Sequence, residues 1–294
     1  MHVVLATAQT HLALTPSDHS LRVAIEARGA KVTAEPWDSI TPSHAGRRLV
    51  CLRSTWDYQY RVGEFQRWVA AWNDRPGALW NPPATVLWNL DKVYLRDLED
   101  AGIPIPVTHW FDPGHPPDVS AFFTQGGPTV AVVKPRISAT ALGTSVVKAL
   151  SNLADTTMEP LLATGSMLQA FVPEISTNGE LSLIFIDGRF SHAVSKRPAD
   201  GDFRVQSDFG GSVAPHAVAE DEREFGEKVL AVVRHPWLYA RVDMVIAAQG
   251  PLLMELELIE PELFLDMVPN AAVRLAEAII RVAQRLPAGA RAQE

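Results

Sequence analysis

The sequence predicts a mixed α/β and α+β protein in three parts, and three observations carry that expectation. Over residues 1–88, short apolar strands alternate with helical stretches, the pattern of a parallel sheet. Over 89–167, a strand ending in lysine and proline runs into a small, polar, flexible stretch. Over 168–294, period-two alternation broken by turn residues gives hairpins, followed by a closing helix. With 294 residues, 47% hydrophobic and 20% charged, the chain suits one to three domains and a sizeable core.

In order, VVLAT (3–7) is a buried strand, and Asp18 to Gly29 a helix ending on glycine. KVTAEPW is a second strand. LVCLRSTWDY is a third, running into a polar-aromatic end, and helix Gly63–Trp72 follows. ALWNPPATVLWN reads as a junction. LDKVYLRDLEDAG reads as an amphipathic helix stopped by Gly102, with Pro104 and Pro106 beyond. TVAVVKP (129–135) is a strand, RISATALGTSVV a polar loop, and MLQAFVPEI a strand with its connection. LSLIFIDGRFSHAVSK is a hairpin turning at Asp187-Gly188. RVDMVIAAQGPLLMELELIE is a second hairpin, turning around Gln249-Gly250. Pro269–Leu286 closes as a helix, and PAGARAQE reads as a frayed end.

A formal net charge of −8 argues against nucleic acid or an anionic membrane as partner. Cys51, the only cysteine, excludes internal disulfides and cysteine metal clusters, and within its strand it reads as a core residue. The N-terminus reads as strand one, not as a signal peptide, and no apolar run approaches a span of about 20 residues. A cytoplasmic protein is expected. Histidines show no H-x-x-x-H or H-E-x-x-H spacing, and there is no G-x-S-x-G elbow. His192 reads as a strand histidine.

The second hairpin poses the chemical question. Folded about Gln249, it sets Asp243 opposite Glu255 and Arg241 opposite Glu257 on one sheet face. Acids so crowded repel one another, and a hard divalent cation such as Mg²⁺ is the simplest relief. A solvated face carrying acids by chance is the alternative, although the flanking strands are too apolar for full exposure. Arg241 beside the acids suits anionic oxygens. Lys92 at a helix start and Lys134 at a strand end are candidates to neutralise phosphates, or are surface lysines. The loop from Ser138 to Thr144 offers backbone N–H groups and hydroxyls, with Gly143 its one glycine; it is neither a Walker loop nor a G-x-G-x-x-G turn.

The ordered set of a helix-start lysine, a strand lysine before a flap, Q-x-F-V-P, G-E-x-S, R-x-D and E-x-E resembles the ATP-grasp ligases. The likeness is to the glutathione synthetase and D-alanine–D-alanine ligase branch. "LRSTWDY", "GDFRVQSDFGG" and "ELELIEPELFL" further resemble the subgroup containing the O-ureido-serine cyclo-ligases. The resemblance implies an ATP-grasp fold of three domains, with ATP between the central and C-terminal ones and two Mg²⁺ ions on its phosphates. It implies phosphate contacts from Lys92, Lys134 and the loop residues Ser138, Thr140 and Gly143. It sets Gln169 with the Ala170, Phe171 and Val172 backbone against adenine, Glu180 on the ribose, and Asp243, Glu255 and Glu257 on the metals. Arg241 corresponds to the arginine that stabilises the acyl transition state. Many relatives have asparagine where this chain has Glu257, and glutathione synthetases have a substrate-contacting arginine at Ser182.

For the substrate, Arg53, Ser54, Thr55 and Asp57 at a strand end join Lys196, Arg204 and Gln206 as candidates. Lys196 or Arg204 would engage the carboxylate or γ-phosphate. Arg53 and Asp57 pairing with each other, and a solvated Lys196-Arg197, are the plain alternatives; Trp56 and Tyr58 read as packing. By the resemblance, the activity is ATP-dependent ring closure of a small amino-acid-like substrate, O-ureido-D-serine, in antibiotic biosynthesis, by a homodimer or higher homo-oligomer. A ligase joining two amino-acid-like substrates, or an ATP-binding protein without ligation, stays open beside it.

Overall fold

A computed structural model describes residues 1–44, 48–123, 127–139, 143–148, 158–199 and 210–286. The first part holds β1 (His2–Thr7), α1 (Pro16–Glu26), β2 (Lys31–Pro36), β3 (Arg48–Leu52), α2 (Val62–Ala70) and β4 (Leu79–Trp80). Its strands form a parallel sheet in the order β2-β1-β3-β4. Val3, Val4, Leu5 and Ala6 are all fully buried, which is why the strand reads as an unbroken apolar run. α1 starts at Thr15, whose side-chain oxygen accepts the Asp18 N–H at 3.1 Å.

The expected junction is instead α3 (Pro83–Leu90), with proline at its first position. The expected helix after it shortens to α4 (Tyr94–Asp100), so Lys92 lies in the turn between the two helices. Asp91 causes the break: its backbone is extended, and its side chain takes the Val93 N–H at 3.0 Å. The third strand also stops early, at Leu52, and the STWDY segment runs on as turns.

β5 (Thr108–Phe111), α5 (Val119–Phe122), β6 (Val130–Pro135), β7 (Ser145–Lys148), α6 (Met158–Thr164) and β8 (Ser166–Ala170) form the middle of the chain. Their antiparallel sheet has the order β5-β8-β6-β7, and β8 runs across positions 167 and 168. Then come α7 (Glu174–Asn178), β9 (Glu180–Ile186), β10 (Arg189–Arg197), β11 (Ser212–His216), α8 (Glu220–Ala231), β12 (Tyr239–Ala247), β13 (Gly250–Glu257) and α9 (Ala271–Gln284). These strands make an antiparallel sheet, β11-β10-β9-β12-β13. Asp187 and Gly188 turn the β9–β10 hairpin, both at positive φ, as two-residue turns of this hand require. Among the described residues, no helix is long and apolar enough to cross a membrane.

The first and last sheets share a core. Leu275 and Ile279 of α9 pack with Leu21 and Ile25 of α1 and with Ile184, Ile186 and Tyr239. The segment leaving β13 is fastened to the first part by side chains bonding backbone. Asn81 donates to the carbonyls of Tyr239 (2.9 Å) and Leu258 (2.7 Å) and accepts the Leu238 N–H at 2.7 Å. Asn89 donates to the Leu256 carbonyl and accepts the Leu258 N–H, both at 2.8 Å. The Tyr239 hydroxyl lies among the carbonyls of Leu52, Trp80 and Ile259.

Two outcomes follow from this packing. Asn81→Ala orphans three buried backbone groups, at roughly 1–3 kcal/mol each. Urea denaturation should register a loss of about 3 kcal/mol or more; a loss within ~0.5 kcal/mol would remove the clamp. The second concerns His192, buried with Nε2 donating to the Leu263 carbonyl at 2.8 Å. Burial pushes its imidazole down to about 4, the Leu263 bond opposing and Arg274 adding to the fall. An unfolded histidine takes its proton near pH 6.5, so the folded state loses stability as pH falls from there toward 4, by at most about 3 kcal/mol. Denaturation at pH 7 and pH 4.5 should show a smaller drop for His192→Gln than for the parent chain; equal drops would refute the assignment.

Candidate active site

Alternate residues of the five-stranded sheet share one face. There Ile184, Ile186 and Tyr239 meet α9 at one end. At the other end Val245 and Ala247 meet Val172 and Ile175. Between these apolar ends lie Glu180 and Ser182 of β9, Lys196 of β10, Arg241 and Asp243 of β12, and Glu255 and Glu257 of β13. All of these except Ser182 line a cavity of about 510 Å³, a usual size for a small-molecule site.

Arg241 stands opposite Glu257 and Asp243 opposite Glu255, as the alternation predicts. The turn differs from expectation. Ala247 pairs with Gly250, so Ala248 and Gln249 make the turn, and Met254 is an extra residue between paired Leu253 and Glu255. Without that bulge the tight turn would bring Met254 opposite Asp243 and send the glutamates to the other face.

Each carboxylate on this face has a cation. Lys196 pairs with Glu180 and, at 3.3 Å, with Asp243. Arg241 donates to Asp243 from Nε at 3.0 Å and from Nη2 at 2.9 Å, and from Nη2 also to Glu257. One Nη1 hydrogen goes to the Glu262 carbonyl at 3.1 Å, which leaves the other for a ligand. Ser182 donates to Asp243 at 2.5 Å. Lys92 meets Glu255 at 3.0 Å and donates to the Ser138 carbonyl at 2.9 Å. Gly179, at φ 78°, lets β9 start here; a Cβ would strike the Lys196 carbonyl.

The charge states follow from these neighbours. Burial would lift Asp243, but Arg241 and Lys196 outweigh it and hold the carboxyl down to about 2. For Glu257 burial wins: Arg241 opposes, Glu255 and Asp243 add repulsion, and the carboxyl rises to about 8. Desolvation pulls Lys134 below the usual lysine range, with Glu255 opposing. Around the cavity Glu180, Asp243, Glu255, Glu257, Glu260 and Glu262 outnumber Lys92, Lys134, Lys196 and Arg241. Among the described residues no three His, Cys, Asp or Glu side chains are gathered as a metal cluster, because the carboxylates turn to lysine and arginine instead. The donors themselves fit a hard cation: all are oxygens, and Glu257 feels repulsion from Glu255 and Asp243 that Arg241 only partly relieves.

Lys92, Lys134, Ser138, Gln169, Ala170, Phe171, Val172, Glu180 and Lys196 all line the cavity beside the hairpin residues. Gln169 also donates to Thr108 at 3.2 Å. Gly143 does not line it, although Thr144 does. Thr140, Arg204 and Gln206 lie outside the described residues. The expected substrate group at the end of β3 is corrected. Arg53, Ser54 and Thr55 are buried away from the cavity, and Asp18 at the start of α1 claims the first two. Arg53 bonds Asp18 at 2.6 Å and the Pro261 carbonyl at 2.9 Å, and Ser54 reaches Asp18 at 3.3 Å. Asp57 is off the cavity too; it pairs with Arg61 at 2.7 Å and accepts from Trp37 at 2.8 Å, and does not pair with Arg53. Its neighbours Trp56 and Tyr58, read as packing, do line the cavity, as do Asn89, Tyr94, Glu260 and Phe264. The acids of "ELIEPELFL" beyond the hairpin were the available signal for Glu260.

Comparison with known proteins agrees with this geometry. Residues 3–81 match the model of the D-cycloserine synthetase DcsG N-terminal domain, and 117–263 that of the prokaryotic glutathione synthetase ATP-grasp domain. The chain is 32% identical to the cycloserine biosynthesis protein DcsG of Streptomyces lavendulae, over 90% of this chain and 94% of that protein. It is 27% identical to a probable alpha-L-glutamate ligase of Xylella fastidiosa, over 56% of this chain and 54% of that one. A crystal structure of D-cycloserine synthetase DcsG superposes with TM-score 0.81 at 27% identity, covering 98% of this chain and 100% of that one. D-alanine–D-alanine ligase from Bacillus anthracis, at 13% identity and TM-score 0.69 over 97% of each chain, shares the fold. The chain, whose cavity is floored by paired acids and cations, thus belongs to the ATP-grasp ligase family and is an enzyme of the D-cycloserine synthetase type.

Proposed function

We propose that this enzyme uses ATP to activate the carboxylate of O-ureido-D-serine as an acyl phosphate and closes it to D-cycloserine. The observation that carries the reading is the joint lining of one cavity by Lys92, Lys134, Arg241 and the three hairpin acids. A carboxylate is a poor acyl donor because its leaving group would be oxide; phosphorylation makes phosphate the leaving group. The oxygen-bound nitrogen of the same molecule then attacks the acyl carbon and phosphate leaves; one water hydrolyses the N–carbamoyl bond, returning a hydrogen to the ring nitrogen and releasing the carbamoyl group as carbon dioxide and ammonia. Holding both reactants in one molecule is worth up to about 7–11 kcal/mol.

Lys92 and Lys134 are suited to neutralise the phosphates; Lys92, paired here with Glu255, would be released for phosphate if that glutamate held a metal. Lys196, seated between Glu180 and Asp243, favours the charged form of both acids and aims them. The unused Nη1 donor of Arg241 is suited to the acyl oxyanion, a role typically worth roughly 3–4 kcal/mol. The Gln169–Val172 segment is suited to the adenine and Glu180 to the ribose. Asp243, Glu255 and Glu257 would hold Mg²⁺, as two ions, which when bound offsets charge on the transferred phosphoryl group. A three-part division at 1–88, 89–167 and 168–294, with the nucleotide between the second and third parts, fits this arrangement. The substrate is a small amino acid, in the cytoplasm; a homodimer is compatible with the reading.

ADP release should appear with O-ureido-D-serine and Mg²⁺ and stay at background with serine or alanine. Release only after a second amine is added would favour a bimolecular ligase, and none with any amino acid a nucleotide-binding protein. Glu257→Gln should reduce Mg²⁺-dependent turnover by about a hundredfold or more with the circular dichroism spectrum intact. Undiminished turnover in that variant would end its metal role.

A further inference from the structure

Two carboxyls in the cavity wall, Glu260 and Glu262, have no ion pair among the described residues. Glu180, Asp243, Glu255 and Glu257 are each paired to lysine or arginine. The Glu262 carboxylate accepts the Phe264 N–H at 2.9 Å. Glu260 lines the same cavity at 8% exposure and has no ion pair among the described residues. Its side chain is hydrogen-bonded to the Tyr58 hydroxyl. Trp56 Nε1 donates to its carbonyl at 3.2 Å, and Tyr58 is stacked on Phe65 with ring centroids 4.7 Å apart. A rigid aromatic frame from the first part of the chain thus holds at the cavity a carboxyl without an ion pair, on which the Lys92 charge acts from beyond ion-pair distance.

We propose that Glu260, framed by Trp56 and Tyr58, is the subsite that receives the α-ammonium group of the amino-acid substrate. The assignment rests on the carboxylate-activating reading above and adds the residue that orients the substrate. An amino acid whose carboxylate is drawn to lysine and arginine must put its ammonium elsewhere. Asp243, Glu255 and Glu257 are committed to cations, and Glu180 to Lys196. Burial lifts Glu260 to about 7, with the Tyr58 bond opposing, so an arriving ammonium finds a carboxyl that gains from charging. The faces of Trp56 and Tyr58 suit a cation as well. With the two ends held apart in this way, the substrate carboxylate points at the phosphate-binding cations and the side-chain nitrogen stays free to fold back.

The test is calorimetric binding of O-ureido-D-serine, and of its des-amino analogue 3-(ureidooxy)propanoate, to the full chain with ADP and Mg²⁺. A hydrogen bond to a charged group is worth about 1.5–3 kcal/mol, so Glu260→Gln should weaken the amino acid by roughly 10–150-fold. ADP affinity should stay within about twofold, since Glu260 is assigned no nucleotide contact. The parent chain should disfavour the analogue by a similar factor, and Glu260→Gln should bind the two ligands alike. Glu260→Asp, which keeps the charge, should retain most of the discrimination. Unaltered amino-acid affinity in Glu260→Gln, or equal weakening of both ligands, overturns the subsite while leaving the ligase reading intact. A parent chain that neither binds nor turns over the ureido acid overturns both.

Discussion

Carboxylates withdrawn from water in the middle of an apolar sheet face are the constraint on which the rest depends. Two like charges about 4 Å apart repel by roughly 4 kcal/mol at the effective dielectric of a protein surface. Asp243 alone has Glu255 across one strand pair and is coupled to Glu180 beyond Ser182 on the other side. The cations that relieve this come from separate segments: Lys196 from β10, Arg241 from β12 and Lys92 from the α3–α4 turn. The ion pairs therefore do structural work as well, for Lys92 joins that turn to both β13 and the Ser138 loop. Such pairs are costly to half-remove, about 3–5 kcal/mol, so the cluster is fixed as a set.

The cavity needs a second wall, and the chain makes it where β13 ends. Past Glu257 the backbone leaves its ladder and enters the interior, where every N–H and C=O still needs a partner. Asn89 and Asn81 supply them to Leu256 and Leu258, Arg53 caps the Pro261 carbonyl, and Trp56 the Glu260 carbonyl. This explains why Arg53 and Asn81, just past the ends of β3 and β4, are polar yet lie off the cavity. Their partner is the chain itself, and its fixed course carries Glu260 and Glu262 to the cavity.

Period-two alternation in RVDMVIAAQGPLLMELELIE was enough to predict which acids face which, because a sheet has only two faces. The bulge at Met254 was not legible: alternation reports the face and says nothing of how a strand changes register to keep it. Arg53 misled for a related reason. A charged residue at a parallel-strand end suggests a ligand, and only the fold reveals that Asp18, 35 positions earlier, is its partner. Trp56 and Tyr58 reversed the error, since an aromatic residue packs and lines with the same side chain. Family resemblance pointed to Lys92, Lys134 and the Gln169–Val172 segment, which line the cavity, whereas the closing wall at Glu260 depends on contacts between segments some 200 residues apart.

The acid excess of the cavity also constrains what enters it. Carboxyls outnumber cations there even before a nucleotide arrives. A free nucleotide tail would be repelled, whereas one carrying divalent metal brings the charge the acids lack. The same logic separates the two ends of an amino acid. On the proposed subsite its carboxylate would go to the lysine and arginine side and its ammonium to Glu260, and a folded substrate held between them would have its nitrogen nucleophile and its activated carbon on one short arc. Charge placement, more than shape, would then choose a zwitterion small enough to close on itself.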